Sequence, residues 1–141
     1  MKITVHVKTI RGGDFHKACK LAEVELAKNV LKDTAPFVPA LTGVFSNSAR
    51  TQGNAVVYTG DQVHYLWNGK VMVDEQGRHA VFYEGIGWRH RKGAKLHATE
   101  KDLVFTTNMH PNAQSHWVDA SYEKNADKWA NEAEAMVIKH L

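Results

Sequence analysis

The sequence has little cysteine and no long apolar run. Cys19 is the only cysteine in 141 residues, so an intramolecular disulfide is excluded. No apolar stretch approaches the roughly 18 residues that a membrane-spanning helix needs. Residues 1–8 lack the apolar block of a signal peptide. We therefore expect a protein that is made and kept in a cytoplasm and does not associate with a membrane.

Neither sign of charge is in large excess, with 18 Lys or Arg residues against 15 Asp or Glu residues. The net charge is +3, which is less than an obligate nucleic-acid-binding protein usually carries. The apolar fraction of 43% is ordinary for a folded chain and excludes general disorder. A chain of 141 residues suits one hydrophobic core, so a single domain over residues 1–141 is predicted.

Apolar residues recur with helical periodicity in two long segments. The first segment covers residues 15–32, and its apolar stripe consists of Phe15, Ala18, Cys19, Ala22, Leu26 and Val30. Pro36 is expected to end this helix, because residues before a proline avoid the α region. The second segment covers about residues 115–140, with Val118, Tyr122, Trp129, Ala133, Met136 and Val137 repeating at threes and fours.

Short strands are predicted before and between these helices. Alternation or β-branched composition indicates strands at residues 2–8, 54–59, 71–73, 80–83 and 103–106. Residues 62–68 form an aromatic segment that Gly69 is suited to cap. Residues 85–93 are predicted to form a basic loop that contains several glycines. The fold class predicted is α+β, with an antiparallel sheet packed by a long helix in the N-terminal half and by a C-terminal helix.

The sequence contains no recognisable catalytic pattern. His110 and His116 are not spaced for one helix face, and no HExxH or CxxC motif is present. Ser46 and Ser48 lack a nucleophile elbow, and Cys19 reads as a small buried hydrophobe. We expect no enzyme activity, no metal and no cofactor. A hydrolase or nuclease using the two histidines is retained as the more remote alternative.

A basic, aromatic run occurs near the middle of the chain. Its members are Trp88, Arg89, Arg91, Lys92 and Lys95. Phosphate contacts from the cations, with stacking by Trp88, would suit a small nucleic-acid-binding module. The same charges would also suit an acidic protein surface, or simply a solvated hairpin tip. The sequence leaves these three readings open.

The stretch PFVPALTGVFSNSA, residues 36–49, resembles a P-x-x-T-G-x-L-x-x-S signature. This signature is typical of the phage neck and tail-completion proteins, including the minor capsid protein families encoded between the head and tail genes of long-tailed phages. A long helix precedes the stretch, and two further segments follow in the family's order, at residues 64–74 and 110–120. Phe45 stands where the family usually has leucine. The matching residues are Pro36, Pro39, Thr42, Gly43, Phe45 and Ser48.

The resemblance implies a structural virion protein without a catalytic site. Such a protein is assembled in the host cytoplasm and forms a homo-oligomeric ring at the head–tail junction. The ring docks the head connector to the tail proteins and leaves a channel for DNA, which the basic loop could contact.

A ring of identical subunits needs two different contact surfaces on each copy. Val24 and Leu31 lie off the main stripe of the first helix and are candidates for one surface, although scattered surface apolar residues are common. Tyr65 and Trp67 are candidates for the other, although both also suit the core. The aromatic residues Trp117, Tyr122 and Trp129 are expected in the core.

Overall fold

The computed structural model describes residues 1–9, 14–39, 49–60, 63–85, 87–105 and 110–141, with the side chains of Asp14 and Trp88 outside that description. Three α-helices and seven short strands form the described part of the chain. The helices are α1 (Asp14–Thr34), α2 (Val63–Asn68) and α3 (Trp117–Lys139), and a 3-10 turn (Ala35–Phe37) follows α1. The strands are β1 (Lys2–Thr4), β2 (Arg50–Gln52), β3 (Ala55–Val57), β4 (Lys70–Val73), β5 (Val81–Tyr83), β6 (Gly87–Arg89) and β7 (His97–Asp102).

The α+β prediction is confirmed, but the strands form three small antiparallel sheets. One sheet has the order β1-β3-β2, the second pairs β4 with β7, and the third pairs β5 with β6. In the three-stranded sheet, Val56 lies opposite both Ile3 and Thr51. The long helices pack extensively against each other, and α1 also lies against β2 and β3.

The apolar stripe of α1 forms much of the core. Its residues from Ala18 to Val30 are buried as predicted, and Cys19 is among them. They meet Trp129 and Val137 of α3 and Val56 of β3. The α-helix ends at Thr34, two residues before Pro36, which is the boundary that the proline predicts.

Polar contacts tie α1 to α3 along their length. The Thr34 and Ser121 hydroxyls lie 2.8 Å apart in a fully buried position. Asp33 accepts hydrogen bonds from Lys128 Nζ and Trp129 Nε1, each at 2.8 Å. Burial raises the pKa of the Asp33 carboxyl, but the two hydrogen bonds and the charges of Lys128 and Lys32 together leave its pKa below the ordinary value.

A buried carboxylate fastens the N-terminal segment to α1. Glu23 is only 3% exposed. Its carboxylate accepts hydrogen bonds from the Val7 backbone N–H and from Asn54 Nδ2, both at 3.1 Å. Asn54 also donates to the Val5 carbonyl at 3.0 Å, so one short network joins three parts of the chain.

Several boundaries differ from the sequence predictions. The strand predicted over residues 2–8 is regular only in β1, and the strand predicted over 103–106 is wrong at residues 103–105. The strand in that region is β7, and Leu103 follows it by donating its N–H to the Gly69 carbonyl at 2.8 Å. Residues 85–93 contain β6 instead of being loop throughout. Tyr122, expected in the core, is 62% exposed on α3, with its ring 6.2 Å from that of Trp129.

No helix in the described ranges is both long enough and apolar enough to cross a membrane.

Candidate functional site

The segments that carry the family resemblance meet in space. Residues 110–114 run beside the turn after α1, with the Asn112 N–H donating to the Pro36 carbonyl at 3.2 Å and the Gln114 N–H donating to the Phe37 carbonyl at 3.1 Å. The His110 ring Nδ1 donates to the Val38 carbonyl at 2.6 Å. His110 therefore links two of the three motif segments.

The third segment, α2, packs on the start of α3. The His116 N–H donates to the Trp67 carbonyl at 3.1 Å. The Trp67 ring lies 4.9 Å from the rings of both His116 and Trp117, and its contact with Trp117 is edge-to-face. We call the region formed by residues 36–39, 64–69 and 110–117 the motif junction.

Tyr58 and Trp117 form the buried floor of the motif junction. Both side chains are fully buried, and their ring centres are 5.6 Å apart in an edge-to-face arrangement. Burial raises the pKa of the Tyr58 hydroxyl to about 12, with a hydrogen bond from Trp117 acting in the opposite direction. Tyr58 consequently keeps its proton at physiological pH and serves as a packed, neutral group.

The predicted contact residues occupy different environments. Val24 is exposed on α1, as a surface contact requires. Leu31 is half-buried against the core and lines a cavity of about 250 Å³. Tyr65 is half-buried on α2, and Trp67 packs against the core in the motif junction. Pro36 and Pro39 belong to the motif junction. The other motif residues, Thr42, Gly43, Phe45 and Ser48, lie outside the described residues.

The β5–β6 hairpin presents apolar residues that the sequence did not single out. Val81, Phe82 and Tyr83 are 56%, 56% and 50% exposed. Successive strand residues point to opposite faces, so β5 contributes apolar side chains to both faces of the hairpin. Among the described elements, the extensive contacts of β5 and β6 are with each other. The sequence feature that could have indicated this exposure is the run of three consecutive apolar residues, because a half-buried strand alternates apolar and polar residues.

The basic run continues from this hairpin and is anchored by acidic residues. Arg91 pairs with Glu75 and lies 3.6 Å from the Asp74 carboxylate. The Lys95 N–H donates to Glu75 at 2.9 Å. Arg89, Lys92 and Lys95 remain exposed. Arg91 thus holds the loop in place, whereas the side chains of Lys92 and Lys95 extend from it into solvent.

The Asp74 carboxylate organises the turn that precedes the hairpin. Asp74 is buried, and it accepts hydrogen bonds from the Arg78 and Gln76 backbone N–H groups at 2.9 Å and from Arg78 Nε at 3.0 Å. The bond from the Arg78 backbone is the largest cause of a lowered Asp74 pKa, and burial opposes it.

Asp74→Asn should destabilise the protein at pH 7, and the cost should fall as the pH is lowered below the unfolded pKa towards pH 3. A carboxyl with a lowered folded-state pKa stabilises the fold above its unfolded pKa, about 3.9, and this stabilisation is lost as the pH falls through the folded value. Urea unfolding of both proteins at the two pH values measures the difference. Asp127→Asn, on the exposed surface of α3, is the control and should shift stability by about 0.5 kcal/mol or less. A difference that stays constant with pH would contradict this role of the Asp74 charge.

An open groove of about 800 Å³ lies between α1, α3 and residues 3–9. Its helical sides are mainly apolar and include Leu26, Val30, Tyr122, Trp129 and Val137. None of the four predicted contact residues, all of which the structure describes, lines this groove. We call it the α1–α3 groove.

Strand β1 is an edge strand beside this groove. The Tyr58 N–H donates to the Met1 carbonyl at 2.9 Å and the Val5 N–H donates to the Asn54 carbonyl at 2.8 Å. Since backbone groups alternate in direction along an antiparallel pair, those of Lys2 and Thr4 point away from β3. Within the described part of the chain, no strand pairs with this outer edge.

The described residues contain no group of three or more His, Cys, Asp or Glu side chains that could hold a metal ion. His110 and His116, the pair considered for a metal or nuclease site, both contact neighbouring segments of the motif junction instead.

Comparison of the chain with protein-family models, with curated proteins and with solved structures finds no match.

Proposed function

We propose that the protein is a structural subunit of a tailed phage that acts at the head–tail junction. Copies of the chain form a homo-oligomeric ring that docks the head connector to the tail, as neck and tail-completion proteins do. The resemblance of three ordered segments supports this role. The proposal involves binding alone and assigns no catalytic step, metal or cofactor to the chain.

The observation that carries the proposal is a pair of unlike apolar surfaces. One is the β5–β6 hairpin, with Val81, Phe82 and Tyr83 exposed. The other is the rim of the α1–α3 groove, where Tyr122, Ile138 and Leu141 are exposed. A closed ring uses head-to-tail contacts, which need two different complementary patches on each subunit. Large exposed apolar patches are uncommon on monomeric proteins and mark interaction surfaces.

The motif junction has a supporting role in this proposal. Its residues contact one another through backbone hydrogen bonds and aromatic packing. These contacts fix α2 and the turn after α1 against the start of α3. We infer that the family-like motifs specify the subunit's shape and leave the hairpin and the groove to make contacts with partners.

Light scattering on the purified protein should give a mass that is a multiple of 15.8 kDa and that corresponds to a closed oligomer. Deletion of the gene from the phage should give heads and tails that fail to join, as seen by electron microscopy. A protein that stays monomeric at high concentration, together with infectious tailed particles after deletion, would exclude the proposed role.

A nucleic-acid-binding module is the second candidate. The exposed Lys92 and Lys95 favour it, because phosphate contacts need accessible cations. Arg91 is the matched comparison, since it is already paired with Glu75. If this function were correct, Lys92→Ala would weaken DNA binding by the isolated protein and reduce its salt dependence. Absence of DNA binding by the natural protein at low salt would exclude it.

A further inference from the structure

The solvent side of α1 is basic. Helix α1 contains four lysines, and all four are exposed. At the α-helical rotation of about 100° per residue, they fall within an arc of about 120°. The buried stripe from Ala18 to Val30 occupies the opposite side of the helix. The four lysines are Lys17, Lys20, Lys28 and Lys32.

The described acidic side chains of α1 are bound within the fold. Glu23 is buried in the network that fastens the N-terminal segment. Glu25 and Asp33 pair with lysines of α3 at 3.2 and 2.8 Å. Among the described residues, the ion pair made by the four lysines is a 3.9 Å contact between Lys20 and Glu23. The solvent side of α1 therefore keeps most of its positive charge.

Helix α3 adds a further cation beside the end of α1. Lys124 is exposed, and its Nζ lies 5.9 Å from the centre of the Phe37 ring, in the turn that follows α1. The exposed carboxylates Glu123, Asp127 and Glu134 lie on the side of α3 opposite to its contacts with α1, at about 100° of rotation per residue. We define the lysine face as Lys17, Lys20, Lys28, Lys32 and Lys124.

The length of the lysine face fits an extended polyanion. From Lys17 to Lys32 the helix rises about 22 Å. A single small anion cannot contact lysines that are distributed over this distance. Duplex DNA carries a negative charge for about every 1.7 Å of its axis, and a length of about 22 Å corresponds to about six base pairs. Several lysines of the face can therefore contact phosphates of one duplex at the same time.

The residue types favour the backbone of a duplex over other polyanions. Lysine is a point charge that suits phosphate oxygens and lacks the bidentate fork with which arginine reads guanine. The arc of α1 that holds the lysines has no aromatic residue on which the bases of a single strand could stack. A lipid surface would require large apolar side chains to insert, and Leu21 and Val24, between the lysines, are only 44% and 39% exposed. Protein–protein interfaces are depleted in lysine.

We propose that the lysine face binds the phosphate backbone of duplex DNA without reading its sequence. The contact is electrostatic, because each lysine that neutralises a phosphate releases a counterion from the DNA. This inference goes beyond the proposed head–tail role and does not require a closed ring. It also differs from the second candidate function, which places nucleic acid at the loop that carries Lys92 and Lys95.

Salt-dependent binding to a fluorescently labelled duplex tests the assignment. For the natural protein, fluorescence anisotropy should show log Kd rising with log salt concentration with a slope of about 4, as four or five phosphate contacts require. The double variant Lys17→Gln with Lys28→Gln should bind about tenfold more weakly or worse, and its slope should be lower by about 2. Glutamine has nearly the helix propensity of lysine, and circular dichroism checks that α1 is retained.

A second pair of lysines provides the matched control. Lys92→Gln with Lys95→Gln removes the same two charges from another exposed site. It should change the affinity by about threefold or less, because charges that do not contact the DNA are largely screened. Lys17→Arg with Lys28→Arg keeps the charge and should bind as the natural protein does. Equal losses in the two glutamine pairs, or no binding by the natural protein at low salt, would overturn the inference.

Competition experiments identify the class of partner. Poly-glutamate at equal charge concentration should displace the labelled duplex less well than unlabelled duplex does. Vesicles of equal parts phosphatidylcholine and phosphatidylserine should not sediment the protein at physiological salt. Equal displacement by poly-glutamate would overturn the DNA assignment in favour of an acidic protein, and sedimentation with the vesicles would overturn it in favour of a membrane.

The outcomes separate this inference from the proposed function. A closed oligomer that does not bind the duplex refutes the role of the lysine face and leaves the ring in place. A monomer whose binding is lost in Lys17→Gln with Lys28→Gln supports the lysine face and counts against the ring.

Discussion

Trp117→Ala is expected to destabilise the protein by about 3–5 kcal/mol, the cost of removing a large aromatic side chain from a well-packed core. Trp117 is fully buried, and its ring makes edge-to-face contacts with Tyr58 and Trp67. The substitution leaves a void beside Tyr58 and Trp67, between α2 and α3. Urea unfolding followed by circular dichroism measures the loss.

Tyr122→Ala is the matched control for this experiment. Tyr122 is an aromatic residue of the same helix, but it is 62% exposed. Its replacement should change the free energy of unfolding by about 0.5 kcal/mol or less. If Trp117→Ala cost no more than Tyr122→Ala, the motif junction would not be the packed centre described above.

Gly69→Ala is expected to cost about 2–5 kcal/mol, combining backbone strain with overpacking. Gly69 has a φ of +71°, a conformation that residues with a Cβ rarely adopt. A Cβ at this position would also lie 2.6 Å from Ser115 Cβ, where α2 approaches the segment before α3. Denaturant unfolding of the variant and the natural protein gives the difference.

Two further variants separate these contributions. Gly77 has a φ of +77° but no atom within 4 Å of an added Cβ, so Gly77→Ala reports the strain alone. Adding Ser115→Gly to Gly69→Ala removes the overlapping Cβ and should recover the overpacking part. Similar costs for the two single glycine variants would show that the approach of Ser115 is unimportant.

The two long helices could be predicted because each carries a sustained apolar repeat. The burial of Ala18, Cys19 and Ala22 follows directly from that repeat. Strand β7 could not be predicted in the same way. Its sequence, HATEKD, is almost entirely exposed and has no apolar alternation, so its conformation depends on pairing with β4. The intrinsic conformational preference of these residues does not indicate that β4 will pair with them.

The candidate site was only partly accessible from the sequence. The three family-like segments were identified, but their convergence depends on contacts such as that between His116 and Trp67, which are distant along the chain. The sequence predicts an ordinary strand at residues 80–83 and a loop at residues 85–93, since periodicity alone does not separate a strand buried on both faces from one exposed on both faces. The edge position of β1 among the described strands depends on their order in the sheet, which a single segment does not specify.

The pairing of α1 with α3 also affects how the chain is made. The bond between Asp33 and Lys128 spans 95 residues, and that between Glu25 and His140 spans 115. At ordinary rates of synthesis, α1 leaves the ribosome about 5–20 s before α3. During that interval its apolar stripe has no helix to cover it. Nascent chains are therefore expected to bind chaperones through α1, and truncation before α3 should yield insoluble protein.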